Sequence, residues 1–179
     1  MKRRPKDIGT AGETATVRHL HTNGFPHAER RALRGIQDAG DIAGTPGLCW
    51  SVKGGEQAKN ASDQQVTQWL AELEKQRQRA RADIGVLVLQ RRGVGPANAG
   101  RWWVVLPLDV AAYLSSPYDG GIEHTGPPVR MLLGDLVRHL RLAGYGDPLD
   151  EPSRLFASET QASATRCDDT DTSREVTAQ

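Results

Sequence analysis

Gly40-Asp41-Ile42-Ala43-Gly44-Thr45-Pro46-Gly47-Leu48-Cys49-Trp50-Ser51-Val52-Lys53 is the stretch on which the reading of this chain turns. Asp41-Ile42-Ala43 and Leu48–Lys53 have the composition of two short strands, and Gly44-Thr45-Pro46-Gly47 between them is turn chemistry. Side chains alternate along a strand, so Ser51 and Lys53 face the same way. The turn is short enough to bring Asp41 alongside them. An acid and a lysine converging on one spot, with a second acid near, is the equipment of metal-assisted phosphodiester hydrolysis. Carboxylates hold the ion, the ion lowers the pKa of its water and neutralises developing charge, and the lysine steadies water or phosphate. A turn aspartate and an edge-strand lysine account for the same spacing without any chemistry.

Upstream, Thr10 to about Gly24 reads as a helix, with capping-box spacing at Thr10-Ala-Gly-Glu13 and Gly24 as the stop. Glu13, Val17 and Leu20 recur at helical spacing, so Glu13 lies on the stripe that faces the sheet. An acid there needs a partner or a metal. His27–Arg34 is a strand candidate, followed by a loop over Gly35–Gly40.

Downstream, Ser62 to about Arg81 is the strongest helix, with Val66, Trp69, Leu70, Leu73, Arg77 and Ala80 on one stripe. Ser62 is its expected N-cap and Gln65 the partner in that capping box. Ile84–Leu89 is a continuous apolar run of strand length, and Trp102–Leu106 another. Trp102 and Trp103 point to opposite faces, so one is expected in the core. Val110–Leu114 and Met131–Ala143 read as two more helices. Helices interleaved with strands point to an α/β or α+β sandwich, with a central mixed sheet of about five strands flanked by helices.

The chain has 179 residues, 37% hydrophobic and 25% charged, enough for one domain and a tail. Its net charge of +1 hides an asymmetry: residues 1–148 carry 20 basic and 15 acidic residues, and residues 149–179 carry 3 and 7. Residues 1–9 read as a basic arm, 10–148 as the domain, and 149–179 as an acidic disordered tail too poor in apolar side chains to offset ordering entropy. A basic body suits a nucleic-acid partner. No apolar run reaches membrane length, no apolar segment follows the basic N-terminus, and the two cysteines suggest neither a disulfide framework nor a zinc site. The cytoplasm is the expected compartment.

The helix with Glu13, then Glu29-Arg30-Arg31, Gly40-Asp41-Ile42-Ala43-Gly44 and Ser51-Val52-Lys53, resemble the PD-(D/E)xK nuclease superfamily. Within it the chain is most similar to the Holliday-junction-resolvase-like proteins of actinobacteria and their phages, over about residues 8–115. The resemblance implies a restriction-endonuclease-like core, with Asp41 and Glu13 as ligands of Mg²⁺ or Mn²⁺ and Lys53 as the catalytic lysine. It implies a homodimer acting on branched or four-way-junction DNA in recombination or repair. Gln65, in Gln65-x-x-x-Trp69, echoes a helix motif that positions substrate or water in parts of the superfamily. Arg30 and Arg31 would lie near the DNA backbone. Arg34, and Arg91, Arg92 and Arg101 around a Gly/Pro-rich loop over Gly93–Gly100, are the further candidates; that loop is expected to be flexible enough to follow DNA.

The family pattern has Glu-x-Lys where this chain has Ser51-Val52-Lys53. A hydroxyl is a poor substitute for a charged oxygen ligand. Three explanations stand side by side: Glu56 or Glu72 replaces the acid, Asp41 and Glu13 bind metal without it, or the fold binds DNA junctions without cutting them.

Overall fold

The computed structural model describes residues 5–31, 39–116 and 122–149. Residues 32–34 of the strand expected over 27–34, Arg34 among them, and all of the tail beyond Leu149 lie outside them; of the described part, only Glu29–Arg30 is strand.

The order is α1 (Pro5–His21), β1 (Glu29–Arg30), β2 (Ile42–Ala43), β3 (Leu48–Lys53), α2 (Gly55–Lys59), α3 (Asp63–Ala80), β4 (Ile84–Leu89), a 3-10 segment (Pro96–Arg101), β5 (Trp103–Pro107), α4 (Leu108–Ser115), β6 (Pro128–Leu132) and α5 (Leu133–Leu142). β3, β4, β5 and β6 form one mixed sheet in that order. β3 and β4 are parallel, and the other two pairings are antiparallel. β1 and β2 pair separately, antiparallel, with Glu29 opposite Ala43 and Arg30 opposite Ile42. The expected α/β arrangement, a central sheet flanked by helices, is what forms.

Alternation along the strands assigns the two faces of the sheet. Leu48, Trp50 and Val52 of β3 join Val86, Val88, Val104 and Leu106 in the larger core, which takes in Val17 and Leu20 of α1 and Leu136 and Leu140 of α5. Cys49 of β3, with Leu87, Leu89 and Val105, packs on the opposite face against Val66, Trp69 and Leu73 of α3. β4 is buried at all six positions, as a central strand covered on both faces must be. α3 matches its expected limits because its ends are set locally. Ser62 accepts a hydrogen bond from the Gln65 amide at 3.2 Å, and Arg81 ends the helix in the left-handed conformation at φ 52°.

Several expectations need correction. α1 begins at Pro5, whose fixed φ suits a first helical position, so Thr10 is inside the helix and not its cap. Thr10 has other partners: its carbonyl accepts from the Thr14 hydroxyl and its own hydroxyl from Arg30. Met131 and Leu132 belong to the strand β6, not to a helix, and the helix starts at Leu133. β6 is an edge strand defined by its ladder to β5, a long-range pairing that local periodicity does not carry. The central sheet has four strands among the described residues where about five were expected, and β1 and β2 form a separate two-stranded sheet.

The Gly93–Gly100 segment is not a free loop. Pro96–Arg101 is helical, Ala99 is buried, and Trp102, itself buried, donates its indole N–H to the Val94 carbonyl at 3.1 Å. Gly100 backs onto the His19 ring, where an added Cβ would come within 2.6 Å. The segment closes one side of the core.

Candidate active site

Asp41 is fixed along the outer edge of β3. Its amide donates to the Trp50 carbonyl at 2.7 Å, and its carboxylate Oδ2 accepts from the Val52 amide at 2.6 Å. The carboxylate thus continues a ladder that main-chain carbonyls would otherwise build, and a charged acceptor makes that bond a strong one. Two glycines make the approach possible. Gly40, at φ +91°, has the Trp50 carbonyl 2.8 Å from where a Cβ would stand. Gly44, at φ +74°, would place a Cβ 1.7 Å from the His27 carbonyl. The glycines at either end of Gly-Asp-Ile-Ala-Gly are therefore structural requirements of the aspartate's position.

Lys53 ends β3 on the α3 face. Its ammonium lies 5.8 Å from the centre of the Trp69 ring, within cation–π range. Trp69 is 94% buried by its 6% exposure and serves as core packing with one face toward the lysine. Ser51 shares that face and is 2% exposed. Of the expected grouping, the structure shows the Asp41 carboxylate on the Val52 amide, between Ser51 and Lys53 in the chain.

Glu13 approaches from the other side. Gly12 of α1 sits close to Val52, with its Cβ position 3.5 Å from Val52 Cγ1. The next residue, Glu13, forms an ion pair with Arg30 of β1 at 2.8 Å, the guanidinium also reaching the Thr10 hydroxyl. Glu13 thus has a partner for its carboxylate, and Arg30, expected on the DNA backbone, is engaged by it. Arg31, next to Arg30 in the chain, donates its amide to the Asp41 carbonyl at 2.9 Å, so the strand that carries the ion-paired Arg30 runs beside Asp41. The two acids approach the end of β3 from the α1 side and from its edge.

The replacement acids do not complete a cluster. Glu56, on α2, is exposed and paired with Lys59 at 2.8 Å. The Lys59 hydrogen bond and charge hold its carboxyl below the usual range. Glu72 is exposed on α3. Among the described residues no three His, Cys, Asp or Glu side chains are grouped as a metal site would need. Gln65 donates its side-chain amide to Gln68 at 3.3 Å, so it does not close the capping box.

The chemistry of the remaining donors does suit a hard cation. Mg²⁺ keeps several waters and is held by one or two carboxylates plus substrate phosphates, not by a cage of protein ligands. Asp41 supplies one such carboxylate. Glu13 supplies the second if it exchanges Arg30 for the ion.

Arginines cluster farther along the same sheet face. Arg91 stacks 4.4 Å from the centre of the Trp103 ring and Arg130 lies 5.8 Å from it, while Arg92 donates to Asn60. Arg31 and Arg101 are exposed. Arg130 and Lys59 escaped the sequence reading, the first because β6 itself went unrecognised.

No family model, no curated protein and no solved structure matches this chain. Among the described residues no helix is long and apolar enough to cross a membrane.

Proposed function

We propose that this chain is a metal-dependent endodeoxyribonuclease of PD-(D/E)xK type that acts on branched DNA, as a cytoplasmic homodimer serving recombination or repair. The observation that carries the reading is Asp41. Its carboxylate is clamped by the Val52 amide at 2.6 Å, one residue from Lys53. An aspartate held so rigidly at a strand end, next to a lysine, is what a hydrolytic site needs before substrate arrives.

In this account Asp41 and Glu13 would hold Mg²⁺ or Mn²⁺, which when bound would neutralise phosphate charge and make its water more acidic. The chain's own groups do the rest. The Val52 amide keeps the Asp41 carboxylate at a single orientation. Lys53, steadied over Trp69, presents a positive charge to the scissile phosphate as water adds and one P–O ester bond breaks. Arg30 holds Glu13 in place through their 2.8 Å ion pair. Exposed arginines bind neighbouring phosphates without regard to base sequence.

A second reading is favoured by position 51. Ser51 is buried where the family pattern has an acid, and Glu13 is already satisfied by Arg30. A protein of this fold with that arrangement binds junctions by shape and charge and leaves them intact. Incubation of the purified protein with labelled four-way junction and linear duplex, with Mg²⁺, with Mn²⁺ and with chelator, separates the two. The nuclease account expects metal-dependent cutting that Lys53→Ala abolishes; binding without cutting under every metal condition selects the second reading.

A further inference from the structure

The C-terminal end of the α3 face carries a second feature beside Lys53. In the sheet register Lys53 pairs with Leu89 and Leu89 with Trp103. The three side chains therefore form one row on one face, with Trp103 two strands, or roughly 10 Å, from Lys53. At the Trp103 end of the row lies a cavity of about 200 Å³ lined by Lys59, Arg91, Arg92 and Arg130 around Trp103. No aspartate or glutamate lines it. Glu56, exposed and outside the lining, pairs with Lys59 at 2.8 Å.

Lys59 is paired with Glu56 and Arg92 with Asn60, but Arg91 and Arg130 meet over Trp103 with no carboxylate lining the cavity, and two like charges brought that close favour an anion between them. Their chemistry narrows which one. Guanidinium forks match phosphate oxygens in paired hydrogen bonds, and stacking on an aromatic ring orients the fork before the ligand arrives. Arg91 is stacked in this way on Trp103. Arg92 is anchored by Asn60, and Gln90 fixes the start of α2 by accepting from the Gly55 amide at 2.8 Å. The rim of the pocket is thus preorganised, and Leu89 and Trp103 of the row that leads to Lys53 line it.

We propose that this pocket binds a backbone phosphate of the same DNA strand that passes Lys53, about two nucleotides from it, with Arg91 and Arg130 as its principal ligands. The proposal rests on the DNA reading above and adds to it a site, a ligand group and two residues, Arg130 and Lys59, that the sequence did not single out. It makes the pocket a fixed second anchor that sets the register of the strand at the cleavage site.

The test is equilibrium binding of a fluorescent four-way junction in chelator, followed by anisotropy across a salt series. The proteins are wild type, Arg91→Ala, Arg130→Ala and the control Arg79→Ala, which removes an equal charge from the exposed side of α3. Each pocket variant is expected to weaken binding roughly tenfold at low salt and to flatten the slope of log K against log salt by about 1, the signature of one lost phosphate contact, with Arg79→Ala unchanged. Arg130 is exposed on an edge strand, so its removal leaves the core intact. Wild-type binding with unaltered slopes in both pocket variants, or an equal loss in Arg79→Ala, overturns the pocket while leaving the DNA reading standing. A wild type that binds no DNA at low salt removes both, and metal-dependent cutting is scored separately on the same preparations.

Discussion

Replacing Asp41 separates its structural role from its chemical one. Asp41→Ala removes the acceptor of the Val52 amide, a partly buried donor that currently makes a 2.6 Å bond to a carboxylate. Hydrogen bonds to charged groups contribute about 1.5–3 kcal/mol, and an orphaned buried donor costs about 1–3 kcal/mol. The two figures describe the same loss, so a destabilisation of about 2 kcal/mol is expected. For a body of this size that lowers Tm by roughly 4–8 °C. Asp41→Asn keeps an oxygen that can accept from Val52 and loses only the charge, which puts its cost at about 1 kcal/mol. Thermal and urea unfolding followed by tryptophan fluorescence read these numbers. Cleavage of a four-way junction in Mg²⁺ reads the chemistry, and there the two variants should be equally inactive, because the amide cannot hold the ion. If Asp41→Asn cuts at the wild-type rate while Asp41→Ala is destabilised as calculated, Asp41 is a strand clip and the proposed mechanism is wrong.

Other expectations follow from the same geometry. Gly44→Ala would drive a Cβ to within 1.7 Å of the His27 carbonyl at a positive φ, so the turn must rebuild; a loss of more than about 2 kcal/mol in urea unfolding is expected, and a neutral result would mean the turn is looser than described. Asp109 lies partly buried, which alone would raise its pKa, but amide hydrogen bonds from Thr125, Gly126 and Val110 outweigh that and hold it below the usual value. Its contribution to stability is therefore full above about pH 4 and is lost as pH falls through the depressed value. Asp109→Ala should be less stable than wild type at pH 7, and the gap should close at the acid end of a pH–stability series; a gap independent of pH would refute this. Ser51→Glu puts a carboxylate at a site that is 2% exposed and should lower Tm in chelator. If Asp41 and the introduced carboxylate share an ion, Mg²⁺ at about 100 times Kd restores about 2.7 kcal/mol; a Tm indifferent to Mg²⁺ argues against a cation at this place.

What the sequence made legible has a common physical character. β4 and α3 were readable because a doubly covered strand is a short unbroken apolar run, and because Ser62 sets its helix end within a few residues. The placement of Asp41 beside β3 was readable because one short turn separates them. What escaped depends on contacts far apart in the chain. Glu13 looked like a capping partner of Thr10, yet its carboxylate is taken by Arg30, seventeen residues on. β6 exists because β5 offers it a ladder, and Leu132 and Leu133, adjacent in one apolar run, fall on opposite sides of a strand-to-helix boundary. The segment from Gly93 to Gly100 has the composition of a mobile loop, but Trp102 and His19 pack it into place. The basic pocket at Trp103 needed β6 before its fourth cation, Arg130, could be placed.

The most direct test of the central claim is the cleavage of a labelled four-way junction by wild type, Asp41→Asn and Lys53→Ala, each in Mg²⁺ and in chelator. The account predicts cutting by the wild type in Mg²⁺ alone, and none by either variant although both still bind the junction. Cutting that persists in Lys53→Ala, or a wild type that binds but never cuts in any divalent metal, contradicts it.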